Sequence, residues 1–220
     1  MHNTLKDIRT QFRLSMNGIV SQSMREKGAV YKLNFGVSLP KIREIAQRYT
    51  KDAALAEALW QEDVREMKIL ATLLQPLDSF TVEQAELWAA GVKQQEIAEQ
   101  LCMNLLQELP FAEELAMKWI CREEEFFVVM GFLLLARLYM KGFCLRQEYM
   151  PLFMRRAKEV MDVGLSRSQR ASLLALKYYG RQSSEQADIV LLALADYPLS
   201  GSPEREEFYE DLKFEFQYYQ

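Results

Sequence analysis

Histidine is almost missing from this chain: among 220 residues there is one, His2. It stands in a stretch that usually frays. A Ser-His-Asp triad, a Cys-His pair and a histidine-rich metal site are therefore nearly excluded. Cysteine is scarce too. Cys102, Cys121 and Cys144 are an odd, widely spaced set that gives neither a disulfide framework nor a zinc pattern. They read as buried free thiols of a reducing compartment, with no metal and no cofactor implied. Nine Gly and six Pro are too few for a turn-rich all-β sandwich. No apolar run reaches the roughly 18 residues a membrane span needs. The richest stretch, Phe126 to Leu135, is too short, and the opening Met-His-Asn-Thr-Leu-Lys-Asp has no apolar signal core. The expectation is a soluble, cytoplasmic protein with no membrane partner.

What is present suffices for a folded core. Half the residues are apolar and 26% are charged, which excludes a disordered chain. The length suits one domain or a small pair. The formal net charge of −4 conceals strong segregation. Residues 1–51 carry ten Lys and Arg against three Asp and Glu, whereas 52–125 carry five against sixteen. Residues 137–181 return to ten against three, and 182–220 hold two against nine. Two basic blocks could form two basic faces or one shared lining. Such patches attract phosphate through counterion release, so a nucleic-acid partner stays open. Ordinary solvation of helix surfaces is the other reading of the same pattern.

Apolar residues recur at three-and-four spacing almost throughout. The pattern predicts a first helix from Ile8 to near Gly28. A second is opened by Ser38-Leu39-Pro40, with Ser38 as N-cap and Pro40 in the first turn. Short helices follow around Leu55–Trp60 and Val64–Leu74, the latter ended by Pro76. Thr81 with Gln84 looks like a capping box. Further helices are predicted near 97–106, 111–120, 125–139, 150–163, 168–179 and 185–194. About eleven short, closely joined helices repeating at roughly 35–45 residues per pair suggest an all-α solenoid rather than a compact bundle. A solenoid offers a concave face to a long partner: nucleic acid, peptide or protein.

The division expected is a repeat domain over 1–202 and an acidic, aromatic C-terminal tail over 203–220. Phe214, Phe216 and Tyr218 alternate with polar residues at a strand period. That segment reads either as a helical cap covering the last repeat or as a tail able to lie in a basic groove and compete with nucleic acid.

Three motifs carry a family resemblance. Tyr31, Asn34-Phe35-Gly36-Val37, Pro40 and Arg43 form the first. Leu59-Trp60 with Val64-Arg65-Glu66 is the second, and Lys118-Trp119-Ile120 before the apolar helix is the third. In this order, over roughly residues 30–195, they resemble the AlkD-like DNA alkylation repair family. The resemblance implies a right-handed α-solenoid of HEAT-like repeats with a basic concave groove holding duplex DNA. It also implies glycosylase chemistry on alkylated purines, in which a carboxylate steadies an oxocarbenium-like transition state. In the ungapped register the family's catalytic Asp falls at Gln94, an uncharged residue. A gap of two residues would bring Glu96 to that place. Excision through Glu96, or binding without excision, both stay open. A non-enzymatic scaffold for a protein or peptide is the alternative from another class.

The binding candidates follow from residue type and spacing. Trp88, beside small Ala89, Ala90 and Gly91, could line a groove and stack on a sugar or base. Trp60 and Trp119 have apolar neighbours at helical spacing and read as core. Arg170, Lys177 and Arg181 fall on one helix face, a stripe suited to phosphate contacts. Arg155, Arg156, Lys158 and Arg167 extend it, and Lys41 and Arg43 add to it from the N-terminal block. Glu123-Glu124-Glu125 reads as a helix start, with acids at the positive end of the dipole.

Overall fold

The computed structural model describes residues 2–164 and 166–219. The chain divides into two compact units, Met1–Leu109 and Pro110–Gln220. The first holds α1 (His2–Leu14), α2 (Gly18–Glu26), α3 (Leu39–Ala46), α4 (Ala53–Trp60), α5 (Arg65–Leu74), α6 (Val82–Ala90) and α7 (Gln95–Asn104). The second holds α8 (Ala112–Trp119), α9 (Glu125–Met140), α10 (Met150–Asp162), α11 (Arg167–Gly180), α12 (Ser184–Ala193) and α13 (Pro203–Tyr219). Among the described residues there is no strand; one isolated parallel bridge joins Leu33 to Val64.

Local chemistry sets the boundaries. Asp52, Ser166 and Ser183 each accept a backbone N–H at the start of their helix. Thr81 and Gln84 form the expected capping box. The single first helix is not formed: the chain leaves α1 at Leu14 and starts again at Gly18. Asn17 is the cause. Its side chain caps Val20 N, and its own N–H is drawn to the carbonyl of Phe35 at 2.9 Å. The alternation at the C-terminus is not an extended segment either, because residues 203–219 form α13. Leu212 and Phe216, four apart, turn one helical stripe inward.

In the first unit α5 packs against α3, α4 and α7. The turn 34–37 is locked onto the start of α5. Glu66, fully buried, accepts from the N–H groups of Phe35 and Val37 at 3.1 and 3.2 Å. Gly36 has φ +68°, and a Cβ there would lie 2.3 Å from the Asn17 carbonyl oxygen, so only glycine fits. In the second unit α9 is apolar all round and sits between α8 and α11. The longest apolar run of the sequence is thus a central core helix. No described helix is long and apolar enough to cross a membrane.

The repeat is visible in which residues meet. Arg65–Glu96, Trp88–Glu57 and Asn104–Thr72 join positions 31, 31 and 32 apart. Arg146–Glu113, Tyr197–Asp162 and Arg156–Ile120 join positions 33, 35 and 36 apart. One cysteine expectation needs correction: Cys102 is buried, but Cys121 and Cys144 are exposed. Both lie in connections just past a helix end, where no apolar layer covers them.

Candidate nucleic-acid interface

Glu96 lies in the first turn of α7, two residues after Gln94, which occupies the N-cap position without a capping hydrogen bond. The Glu96 carboxylate is not free. Arg65 donates to it twice, from Nε and Nη2, both at 2.6 Å. The same guanidinium donates to the Val37 carbonyl at 2.8 Å and to Glu66 at 3.0 Å. Arg65 is 2% exposed. Burial pulls its pKa down, but Glu96 and then Glu66 more than offset that, so it is held above its ordinary value. Tyr31, from the first motif, lies in reach of the same charges. Burial, then the Glu96 carboxylate, raises its pKa. The two N-terminal motifs are therefore one electrostatic node.

The structure places Trp88 inside the first unit, 2% exposed. Its ring stacks on Trp60 at 4.4 Å with 5° between the planes, and Phe80 meets it edge-on at 5.0 Å. Its indole N–H donates to Glu57 at 2.7 Å. Trp119 is likewise core, edge-on to Phe127 at 5.5 Å. Glu124 stands at the N-cap position of α9, and Glu125 begins the helix. Hydrogen bonds from Arg122 hold the Glu124 carboxyl at about 2, well below the usual range.

The two basic blocks behave oppositely. In residues 137–181 most cations are partnered. Arg146 meets Glu113 and Glu114, and Arg155 and Arg156 share Glu159. Lys158 meets Asp196, and Arg167 meets Glu125. Lys177 and Arg181 both face Glu215 of α13. Arg170 is exposed and has no ion-pair partner among the described residues. The expected stripe of Arg170, Lys177 and Arg181 thus has two of its three cations against the last helix.

In residues 1–51 the pairs are Arg9–Glu62, Lys41–Glu44 and Arg48–Glu44. Lys6, Arg13, Arg25, Lys27, Lys32, Arg43 and Lys51 are exposed and have no carboxylate in ion-pair range among the described residues. Arg9, Arg13 and Lys32 line one cleft of about 670 Å³ together with Met16, Leu33, Phe35 and two acids, Glu62, which pairs with Arg9, and Asp63, which accepts the Lys32 backbone N–H. Arg13 and Lys32 are the residues that sequence reading passed over. The block charge pointed to them, but only the fold brings α1 against the 32–35 turn. No cluster of three potential metal ligands occurs among the described residues.

Comparison with known proteins fits this architecture. The sequence profile of the DNA alkylation repair enzyme family matches residues 8–194. A search of curated proteins finds no match. Among solved structures, one belongs to a group described as a new family of proteins related to the HEAT-like repeat DNA glycosylases with affinity for branched DNA structures. It superposes with a TM-score of 0.76 at 15% identity, over 87% of this chain and 82% of that one. A designed armadillo repeat protein aligns with a TM-score of 0.38 at 11% identity, over 90% of this chain and 99% of its own. The fold is all-α and of the HEAT-like repeat kind, and with the profile spanning most of its length the chain belongs to the DNA alkylation repair enzyme family.

Proposed function

We propose that this protein binds duplex DNA, damaged or distorted, by its sugar–phosphate backbone and does not excise the base. The observation that carries the binding is the set of unpartnered, exposed cations in residues 1–51, above all Arg13 and Lys32 in their shared cleft. Backbone phosphates are the ligand such a set suits, because each contact releases counterions without reading sequence. Within the C-terminal unit the cations of the second block form a separate and weaker set. Exposed ion pairs are worth at most about 1 kcal/mol, so Arg155, Lys158 or Arg167 can exchange a carboxylate for a phosphate. Arg43 and Arg170, already unpartnered, need no exchange. The solved relative with affinity for branched DNA supports DNA as the partner class.

The absence of excision rests on the carboxylate. Gln94 can orient water but cannot neutralise a developing oxocarbenium charge. Glu96, the nearest acid, is committed to Arg65. Without a free carboxylate the reaction loses on the order of 10²–10⁴ in rate. The test is binding to a duplex with one alkylated-purine mimic, against undamaged and branched DNA, at two salt concentrations, with base release assayed in the same tubes. Salt-dependent binding without release is expected. Base release would restore Glu96 as a catalytic residue, and no binding at low salt would remove the DNA reading.

A protein partner is the second reading. Leu14, Ile19 and Val30 are 78%, 83% and 75% exposed, and Met16 and Leu33, 58% and 44% exposed, line the cleft itself, which is unusual for large apolar side chains so close in sequence. Saturable capture of a peptide ligand by the wild type, lost on changing Ile19→Glu, would favour it.

A further inference from the structure

The turn of α13 from Glu215 to Tyr219 lies on the end of α11, and three of its side chains act there. Phe216 is buried with its ring over Gly180, where a Cβ would lie 2.3 Å from it. Glu215 sets one carboxylate against two cations, Lys177 at 3.9 Å and Arg181 closer. Tyr219 brings its ring 4.0 Å from the Arg181 guanidinium, which also has the Tyr178 ring at 4.9 Å.

The two cations belong to a larger set. Arg170, Lys177 and Arg181 stand seven and four positions apart, so they share one helix face. Arg170 is exposed, whereas the side chains of Lys177 and Arg181 are 26% and 25% exposed. The face is open at one end and covered at the other.

The cover has the chemistry of a competitor for phosphate. Residues 203–219 carry six acids against two bases, and Glu207, Glu210 and Asp211 among them are exposed. A carboxylate shared by two cations occupies the place that phosphate oxygens would take. Its seat is light for a helix of 17 residues: Leu212 and Phe216 are buried, while Phe214 and Tyr218 are 70% and 74% exposed. Partly exposed ion pairs add little. Arg205 ties the first turn to Asp162 at 3.0 Å, so the turns beyond it can move while the helix stays attached. A ligand that offers the cations more negative charge shifts the balance toward the uncovered state, because it binds only that state.

We propose that the last turns of α13 are a displaceable acidic cover: Glu215 holds Lys177 and Arg181 in place of backbone phosphate, and duplex DNA reaches the whole Arg170–Lys177–Arg181 face only by lifting them. The proposal rests on the DNA-binding reading above, but on other residues than the N-terminal cations.

Full-length wild type, Glu215→Gln and Phe216→Ala are titrated with a fully paired duplex by fluorescence anisotropy at several salt concentrations. Glu207→Gln, an exposed acid of the same helix, controls for net charge. Amide hydrogen exchange of residues 203–219 is followed in wild type with and without the duplex. Glu215→Gln and Phe216→Ala should each bind about 3- to 10-fold tighter than wild type, with a salt slope steeper by about 1 to 2, as Lys177 and Arg181 turn to phosphates. Glu207→Gln should stay within about 2-fold of wild type, since an exposed charge away from the contact is largely screened. Adding Lys177→Gln and Arg181→Gln to Phe216→Ala should abolish the gain. In wild type the α13 amides should exchange faster once the duplex is bound. If Phe216→Ala does not fold, Glu215→Gln and the exchange data still decide. Equal affinities and slopes in all variants, or α13 amides as protected with duplex as without it, would overturn the cover and leave binding through residues 1–51 standing. Binding by Glu215→Gln but not by wild type would support the cover and remove the N-terminal reading. No binding by any of them would overturn both.

Discussion

Arg65 grips Glu96 through two parallel hydrogen bonds of 2.6 Å, and with its remaining nitrogen reaches Glu66 and the Val37 carbonyl. A planar guanidinium satisfies this geometry where an ammonium could not. The acid that alignment offers as a substitute for the missing aspartate therefore closes an internal network. Replacing Arg65→Leu leaves Glu66, fully buried, with an uncompensated charge. Urea unfolding should show a loss of about 3–5 kcal/mol. A loss below about 1 kcal/mol would mean that water enters and solvates the carboxylates.

The contrast between the two basic blocks makes a prediction about salt. Exchanging Arg13→Glu together with Lys32→Glu should weaken duplex binding. It should also flatten the slope of log affinity against log salt by about 2. The pair Arg146→Glu and Lys158→Glu, both already facing carboxylates, should change the slope less. Fluorescence anisotropy at four salt concentrations separates the two outcomes. Equal slopes would place the interface elsewhere.

The docking of α13 depends on a missing side chain. A Cβ at Gly180 would lie 2.3 Å from the ring of Phe216, so the glycine is what admits the phenylalanine. Gly180→Ala should cost about 1–3 kcal/mol through overpacking. Adding Phe216→Leu should recover part of that loss, a coupling that a double-mutant cycle measures. Strict additivity would show that α13 is not seated at this point.

Stability should fall at alkaline pH. Burial pushes the Tyr179 hydroxyl up to about 12 and that of Tyr139 up as well, whereas an unfolded tyrosine titrates near 10. Below pH 10 both states keep the proton, and the contribution is fully present. As pH rises from 10 towards 12 the unfolded chain loses protons that the folded one retains, so stability drops. Denaturant midpoints across that window should decline, and less steeply in the double variant Tyr139→Phe, Tyr179→Phe. An unchanged slope would mean that neither hydroxyl titrates on unfolding.

Helix positions were legible because capping and periodicity are local. Thr81 with Gln84 and Ser183 before α12 need no tertiary context. The break at Asn17 was not legible, since a carbonyl from residue 35 helps to make it. The motif residues Arg65 and Glu66 could be matched to a family, yet nothing in their spacing says that they clamp a turn thirty residues earlier. The basic blocks were legible as charge. Which cations remain unpartnered was not, because Glu215 reaches Lys177 and Arg181 only once α13 folds as a helix.

Contacts that mostly reach about one repeat along the chain make each unit close to a linear array with nearest-neighbour coupling. Opening one layer weakens the layers beside it and leaves distant ones intact, so such arrays fray from their ends. In the C-terminal unit the outermost layer is α13, whose amides should exchange with solvent before those of α9. Because α13 supplies both Glu215 and Tyr219 to Arg181, each fraying event frees that guanidinium.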